Sequence, residues 1–265
     1  MSLERRVTEM LSEMMRSPDF ASQRGLENAL RLLAKWRSQL IDNTVVARQG
    51  TVIRGGPFAG MRFVERASEC NVAPRLLGSY EGELHPVVED ICAAGYERLV
   101  DIGCADGYYA VGFARRMPGL TVYAHDVNPT AQSQCAALAE SNGVAGRVQV
   151  GGLFRGEDFE GHAGHRTLVF IDAEGAEDEL MRPDLYPALA RLSALVECHD
   201  VFKPGLSGRI AERFAATHDI RRIAPRLHCP DLPEWFSTMS HLDQVLAGWE
   251  WRMGPTPWLY MTPQD

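Results

Sequence analysis

The sequence predicts an α/β fold with a doubly wound, Rossmann-like sheet and an N-terminal appendage of helices and a hairpin. Two observations favour this class. From Leu99 onward, short apolar runs alternate with stretches of about 10–15 residues that carry helical patterning, as expected for parallel strands covered by helices on both faces. The first apolar run also ends in an acid and a glycine-rich turn, which is typical of a strand that feeds a helix beside a ligand cleft.

The composition fits one substantial core in a reduced compartment. The 265 residues are 45% hydrophobic and carry a formal net charge of −8, which argues against a nucleic-acid partner. The chain is charged from Glu4, no run approaches the roughly 18 apolar residues of a membrane span, and the cysteines show no paired spacing. We therefore expect a cytoplasmic protein with no nucleic-acid partner and no membrane association. Residues 1–80 should form the appendage and residues 81–265 the main domain, with an insertion at about 225–256.

Two helices and a hairpin are predicted in the appendage. Apolar residues at helical spacing predict the helices over Ser2–Met15 and Gly25–Leu40. Two β-rich runs on either side of the sequence GGPFAG predict the hairpin over Thr51–Glu65. Three roles remain open for the helices, namely a lid, the surface of a homodimer, or ordinary core packing.

The stretch Leu77–Gly95 predicts a turn followed by an amphipathic helix. Ser79 lies in a plausible N-cap region, and Gly95 is a good helix terminator. In a doubly wound fold the helix before the first strand packs beside the ligand cleft. Tyr80, Glu81 and His85 are therefore candidates to face a cofactor, and the alternative is a capped surface helix.

The alternating region begins at Leu99. Its predicted strands are Leu99–Ile102, Thr121–His125, Arg147–Val150, Thr167–Ile171, Ala194–Cys198, Ile220–Ile223 and Trp258–Met261. Its predicted helices are Tyr108–Met117, Pro129–Asn142, Ala176–Leu192 and Leu206–Thr217. The irregular stretch Pro225–Gly254 precedes the last strand, which we expect to return antiparallel to the others.

The first turn, within LVDIGCADGYYAV, has the spacing Asp101-x-Gly103-x-Ala105-x-Gly107. The glycines are expected to let the backbone approach a ligand closely. Asp101 would repel a pyrophosphate and attract an ammonium or a ribose hydroxyl. The dinucleotide fingerprint Gly-x-Gly-x-x-Gly is missing from this turn, so a nicotinamide-dependent oxidoreductase is disfavoured.

A second acid, Asp126, ends the second predicted strand. A carboxylate offers two oxygens and no donor, so it can accept both hydroxyls of a ribose. The spacing of the turn resembles the first motif of the class I S-adenosylmethionine (SAM) methyltransferases, and together with the acid at the next strand end this resemblance implies a pocket for SAM. The predicted cofactor residues are Tyr80, Glu81, Asp101, Gly103, Ala105, Gly107, Tyr108, Asp126, Val127 and Asp172.

Further titratable residues follow the fourth and fifth strands. Asp172 ends the fourth, and Glu197, His199 and Asp200 end the fifth. Because open α/β sheets bind ligands at the carboxyl edge of their strands, these side chains are expected on the acceptor side of the pocket. The alternatives are a helix N-cap for Asp172 and a buried, hydrogen-bonded histidine for His199.

Between Leu99 and Asp200 the chain resembles the FkbM-type class I SAM-dependent methyltransferases. DAEGAEDEL resembles their Asp-x-Glu-Gly-x-Glu signature, Glu197-x-His199 resembles their fifth-strand ending, and VDIGCADGYY resembles their first motif. The resemblance implies the class I methyltransferase sheet and methylation of a hydroxyl on a sugar, polyketide or other natural product. It also implies that Asp101, Gly103 and Gly107 line the SAM site, that Asp126 holds the ribose, and that Asp172, Glu174 and His199 face the acceptor.

Two mechanisms for the transfer remain open. His199 is the candidate general base, since an imidazole can take a proton at neutral pH. Alternatively, Asp172, Glu197 and Asp200 offer hard carboxylate ligands for Mg²⁺, which could acidify an acceptor hydroxyl. A hypothesis of a different class is that the fold serves as an inactive binding or partner protein.

Overall fold

The N-terminal part consists of two helices, as predicted. The computed structural model describes residues 2–65 and 71–264. Helix α1 spans Leu3–Arg16 and α2 spans Gln23–Gln49, so α2 continues well past the predicted end at Leu40. Ile41 and Val45 in this extension are buried in the same hydrophobic cluster as Leu99 of the sheet. The C-terminal half of α2 therefore packs into the core.

The predicted hairpin over Thr51–Glu65 is reduced to a single antiparallel bridge between Val52 and Arg62. The intervening GGPFAG sequence forms tight turns, with the Ala59 N–H donating to the Gly56 carbonyl. Phe58 at the centre is buried edge-on against Phe113. The two runs still exchange backbone hydrogen bonds, with the Phe63 N–H donating to the Thr51 carbonyl at 2.7 Å, while burial of Phe58 anchors the turn in the core.

A short helix, a turn and a longer helix precede the sheet. Helix α3 spans Ala73–Leu77, a 3₁₀ turn follows at Gly82–Leu84, and α4 spans His85–Ala94. Gly95 ends α4 in a left-handed conformation, as predicted. The Ser79 hydroxyl does not cap α4, whose N-cap is Leu84, and it has no hydrogen-bond partner among the described residues.

The sheet has seven strands in the order β3-β2-β1-β4-β5-β7-β6. These strands are β1 Arg98–Ile102, β2 Thr121–His125, β3 Val148–Gly151, β4 Thr167–Ile171, β5 Ser193–Glu197, β6 His218–Ile223 and β7 Trp258–Pro263. Strands β1 to β5 are parallel, and β7 lies antiparallel between β5 and β6. The predicted fold class and the predicted antiparallel return of the last strand are confirmed. The carboxyl ends of β1, β2, β4 and β5 consequently meet at one edge.

Helices cover both faces of the sheet, as its burial pattern requires. The remaining helices are α5 Tyr108–Arg116, α6 Pro129–Ser141, α7 Glu177–Leu180, α8 Leu206–Phe214 and α9 His241–Leu246. Successive strand residues alternate between two cores: Leu99 and Leu168 face one, Val100 and Val169 the other. Among the described residues, no helix is both long and apolar enough to cross a membrane.

The predicted helix Ala176–Leu192 is wrong. Only α7 is helical, and a 3₁₀ turn at Pro187–Arg191 follows after an irregular stretch. Pro183 and Pro187 explain this, because proline removes a backbone donor and clashes with the preceding turn. The loop between β4 and α7 therefore does not lead into a long helix. Side-chain contacts hold it in place instead.

The insertion between β6 and β7 packs on α2. It contains a 3₁₀ turn at Glu234–Thr238 and helix α9. Arg37 of α2 donates two hydrogen bonds to the Asp243 carboxylate, at 2.6 and 2.7 Å. This bidentate pair ties the insertion to the N-terminal helices, so both reach the same edge of the sheet.

Candidate functional site

A cavity of about 280 Å³ lies at the carboxyl ends of β1, β4 and β5. Side chains from α2, the turn before α4, the first strand–helix loop and residues 250–256 also line this central cavity. The sequence-predicted residues that it brings together are Tyr80, Glu81, Asp101, Gly103, Ala105, Tyr108, Asp172, Glu174, Glu197 and His199. Five predicted residues, His85, Gly107, Asp126, Val127 and Asp200, lie outside its lining.

Gly103 and Gly107 are required by the conformation and the packing of the turn after β1. Both have positive φ, at 84° and 90°. A Cβ on Gly103 would lie 1.8 Å from the Asp172 carbonyl oxygen, and one on Gly107 would lie 2.8 Å from Cys135 Sγ. The left-handed turn and its packing against protein atoms therefore require glycine at both positions, and a close approach of a ligand to the turn stays a prediction.

Asp101 is buried at the base of this turn and lines the central cavity. Burial raises the pKa of its carboxyl to about 7, and the nearby charge of Asp126 adds to the shift. Its Oδ2 has no hydrogen-bond partner among the described residues. A buried acceptor of this kind is costly without a partner, so it marks a position where a ligand donor would be favourable.

Asp126, which follows β2, holds the turn after β1 by a hydrogen bond. Its Oδ2 accepts the Ala105 N–H at 3.0 Å and its Oδ1 accepts the Asn128 N–H at 2.7 Å. The neighbouring Val127 side chain is 72% exposed. These two residues form a surface next to the cavity, and their cofactor roles stay predictions.

An aromatic wall lies on the side of the cavity towards α3 and α5. The Arg75 guanidinium, which is buried, stacks 4.2 Å from the centre of the Tyr80 ring and lies 3.9 Å from Asp106. The Tyr109 hydroxyl donates to the Glu81 carboxylate. His85 does not line the cavity; its Nε2 lies 3.1 Å from the Tyr80 carbonyl oxygen. Sequence reasoning missed Arg75, which belongs to no motif, and Tyr109, which is the last residue of VDIGCADGYY.

Arg252 lies at the centre of a second group of charged side chains. Its guanidinium lies 3.0 Å from Glu81, 3.4 Å from Glu83, 3.1 Å from Glu197 and 3.0 Å from Glu250. Burial raises the pKa of Glu81 to about 8, although the charge of Arg252 opposes the shift. The attraction of these carboxylates outweighs burial and raises the pKa of Arg252. We call these five residues the Arg252 cluster.

The segment that carries Arg252 is fastened to α2. The Arg31 guanidinium donates to the Trp251 carbonyl and, at 3.1 Å, to the Arg252 carbonyl. The Lys35 ammonium lies 4.8 Å from the centre of the Trp251 ring, and Trp251 has a positive φ of 64°. The cavity wall is thus built jointly by the appendage and the insertion, for which the sequence offered no motif.

His199 lies on the opposite side of the cavity with one ring nitrogen towards a buried acid. Its Nδ1 lies 2.9 Å from Glu177 Oε1, and its ring stacks on Phe202 at 5.8 Å. Burial opposes protonation, but the hydrogen bond to Glu177 and the charge of Glu197 outweigh it, so the pKa of His199 is raised. Glu177 is the last acid of the DAEGAE motif. Its contact with His199 was not predicted, because the sequence pattern placed Glu177 in a long helix.

Three carboxylates surround the other ring nitrogen. His199 Nε2 lies 3.7 Å from Asp172, 3.5 Å from Glu174 and 3.6 Å from Glu197. Burial, together with the charge of Glu197, raises the pKa of Asp172 well above its ordinary value. The predicted catalytic residues His199, Asp172 and Glu174 therefore do come together.

The predicted metal ligands Asp172, Glu197 and Asp200 do not come together as a set. Among the described residues, Asp172, Glu197 and His199 place one ligand atom each within 4.8 Å of one another. Asp200 instead accepts the N–H and hydroxyl of Ser207 at 2.8 and 2.6 Å. Asp200 therefore satisfies the Ser207 N–H, one of the free backbone donors in the first turn of α8.

Comparison with known proteins gives matches to solved structures alone. Similar structures include an O-methyltransferase from Bacillus cereus in complex with SAH (14% identity, TM-score 0.46, covering 70% of this chain and 81% of that one). Another is the O-methyltransferase TomG from Streptomyces achromogenes in complex with SAM (16% identity, TM-score 0.46, covering 71% of this chain and 81% of that one). A third is a precorrin-6y C5,15-methyltransferase from Geobacter metallireducens (12% identity, TM-score 0.47, covering 67% of this chain and 88% of that one). No family model and no curated protein matches the chain, so the FkbM resemblance stays a prediction.

Proposed function

We propose that this protein transfers a methyl group from SAM to a hydroxyl of a small-molecule acceptor. The observation that carries the proposal is the hydrogen bond between Asp126 Oδ2 and the Ala105 N–H, at 3.0 Å. It joins the acid–glycine turn after β1 to the acid at the end of β2, beside a cavity that also holds His199. Both acids required for an amino-acid moiety and a ribose thus lie at one edge of the sheet.

The chemistry of the cavity fits this cofactor. Seven acidic and four basic side chains line it, with aromatic rings between them, which favours a ligand carrying ammonium and sulfonium charges. Asp101 Oδ2 offers its unpaired acceptor to the ammonium. Asp126 would hold the ribose hydroxyls, because each oxygen keeps a lone pair beyond its backbone bond. Exposed Val127 would meet the base. When bound, SAM supplies an electrophilic methyl group.

His199 acts as the general base in this proposal. An acceptor hydroxyl next to Nε2 would pass its proton to the imidazole as the oxygen takes the methyl group. The nearby oxygens of Glu174 and Glu197 accept hydrogen bonds and cannot donate them when ionised. They would therefore hold an acceptor through its own O–H groups and disfavour an anionic one.

A second candidate mechanism uses a divalent cation, and the grouping of Asp172, Glu197 and His199 favours it. One imidazole nitrogen and two carboxylates suit Mn²⁺, Fe²⁺ or Zn²⁺ better than Mg²⁺, which prefers oxygen ligands alone. Glu197 is already shared with Arg252, at 3.1 Å, which weakens it as a ligand. We therefore place the base mechanism first.

Formation of SAH from SAM tests the proposal and separates the two mechanisms. The wild-type protein, His199→Gln and His241→Gln would be incubated with SAM and a panel of polyols and hydroxylated aromatic compounds, with and without EDTA. We expect one or more panel members to be methylated by wild type and by the exposed control His241→Gln, with and without EDTA, and not by His199→Gln. Loss of activity in EDTA would favour the metal. Absence of transfer to every member, together with no SAM binding, would favour an inactive binding protein.

A further inference from the structure

We propose that Glu177 is a positioning residue that fixes the tautomer and the orientation of His199. Its Oε1 lies 2.9 Å from His199 Nδ1. Neither side chain has freedom to turn away: Glu177 is 0% exposed and His199 is 4% exposed. The inference rests on the proposed function for its catalytic meaning, but the contact itself does not depend on any cofactor.

The surroundings of Glu177 determine which ring nitrogen carries the proton. Its Oε1 also accepts the N–H groups of Ala173 and Gly175, each at 3.1 Å. An oxygen that receives two backbone donors is held as an ionised acceptor and has no proton to give. His199 Nδ1 must therefore be the donor, which leaves the lone pair of the neutral ring on Nε2.

The freed nitrogen faces the position where chemistry would occur. His199 lines the central cavity, and the oxygens nearest to Nε2 lie at 3.5–3.7 Å, beyond ordinary hydrogen-bond length. The Phe202 ring lies parallel to the imidazole within 8°, so it restricts rotation from one face. Nε2 is thus available to an acceptor hydroxyl.

Glu177 also holds the loop that presents the neighbouring carboxylates. Its bonds to Ala173 and Gly175 flank Glu174, which adopts a positive φ of 50°. Lys203 donates to the Gly175 carbonyl at 2.7 Å and supports the same turn. A single buried carboxylate therefore couples the shape of the loop to the direction of the imidazole.

The direct test is ¹⁵N NMR of the His199 ring in the intact, cofactor-free protein, at a pH where the ring is neutral. Nitrogen chemical shifts distinguish a protonated from an unprotonated ring nitrogen. We expect wild type to show the Nδ1–H tautomer. Glu177→Leu, which has no acceptor for Nδ1–H, should lose this preference, whereas the exposed neighbour variant Glu179→Leu should keep it. A wild-type ring protonated on Nε2, or an unchanged tautomer in Glu177→Leu, would overturn the inference.

Kinetics would separate this inference from the proposed function. We expect Glu177→Leu to lower kcat of methyl transfer by roughly 100-fold, as for loss of a well-placed general base, with unchanged affinity for SAH. Glu177→Asp keeps the acceptor and its charge and should retain the Nδ1–H tautomer. If SAH fails to bind while the tautomer is as expected, the proposed function is wrong and the positioning of the His199 ring is still supported. If SAH binds but kcat is unchanged in Glu177→Leu, the positioning role is wrong.

Discussion

The Arg252 guanidinium lies 3.1 Å from the Glu197 carboxylate and so joins the insertion before β7 to the end of β5. The same guanidinium contacts Glu81 and Glu250, which are also buried or nearly so. One cation therefore balances several carboxylates from distant parts of the chain. This arrangement makes the cavity wall depend on a residue that no sequence motif marks.

Arg252→Met should destabilise the protein by about 3–5 kcal/mol at neutral pH, because it leaves buried carboxylates without a counter-charge. Urea denaturation measures the loss. The matched control is Arg5→Met, which breaks an exposed pair with Glu9 and should change stability by less than about 1 kcal/mol. Equal losses in both variants would contradict the role assigned to the Arg252 cluster.

Gly103→Ala should also destabilise the folded protein, for a steric reason. The residue would need a left-handed conformation, and its Cβ would overlap the Asp172 carbonyl oxygen. Together these effects predict a loss of at least about 2 kcal/mol in thermal denaturation. Gly119→Ala serves as the control, since a Cβ there meets nothing within 4 Å and needs no positive φ. A Gly103→Ala protein as stable as Gly119→Ala would contradict this account.

The rate of methyl transfer should rise with pH through the pKa of His199. Burial alone would lower this pKa, but Glu177, Glu197 and Glu174 outweigh it, so the value lies above the ordinary 6.5. The protonated ring cannot accept a proton, and activity should reach a plateau only above the raised pKa. The same shift contributes stability that is fully present below about pH 6.5 and is lost as the pH rises through the folded-state pKa. A pH–rate profile of SAH formation, compared with an NMR titration of His199, checks this; a flat profile would contradict it.

Asp101→Asn should be more stable than wild type, and this difference in the free energy of unfolding should grow as the pH rises. Burial raises the pKa of Asp101 from 3.8 to about 7, so ionisation opposes folding. The destabilisation is absent below the unfolded-state pKa, grows between the two values and reaches at most about 4 kcal/mol. Denaturation of wild type and Asp101→Asn at pH 4 and pH 8 measures it. A stability difference that does not grow with pH would show that Asp101 is not desolvated.

Much of the site followed from the sequence because parallel strands bring their carboxyl ends to one edge. Asp101, Asp172, Glu197 and His199 each follow an apolar run, and this alone placed them together. The contact between His199 and Glu177 required the conformation of a loop, which depends on backbone bonds that periodicity does not encode.

The positions of two other residues depend on tertiary contacts and could not be predicted from the sequence. Arg252 reaches the site only because the insertion packs on α2, a tertiary contact between distant segments. Asp200 follows the same strand as His199 but turns towards Ser207, since the start of α8 offers it donors. The error at Ala176–Leu192 was avoidable, because Pro183 and Pro187 were visible in the sequence.

The proposed function requires that SAM binds at the edge formed by Asp101 and Asp126. Isothermal titration of SAH into wild type, Asp126→Ala and the control Asp184→Asn tests this most directly, because Asp184 pairs with Arg182 at the surface, away from the cavity lining. We expect saturable one-to-one binding to wild type and Asp184→Asn, and at least roughly tenfold weaker binding to Asp126→Ala, since two ribose hydrogen bonds to a carboxylate are lost. Absence of binding to wild type, or equal binding to all three proteins, would contradict it.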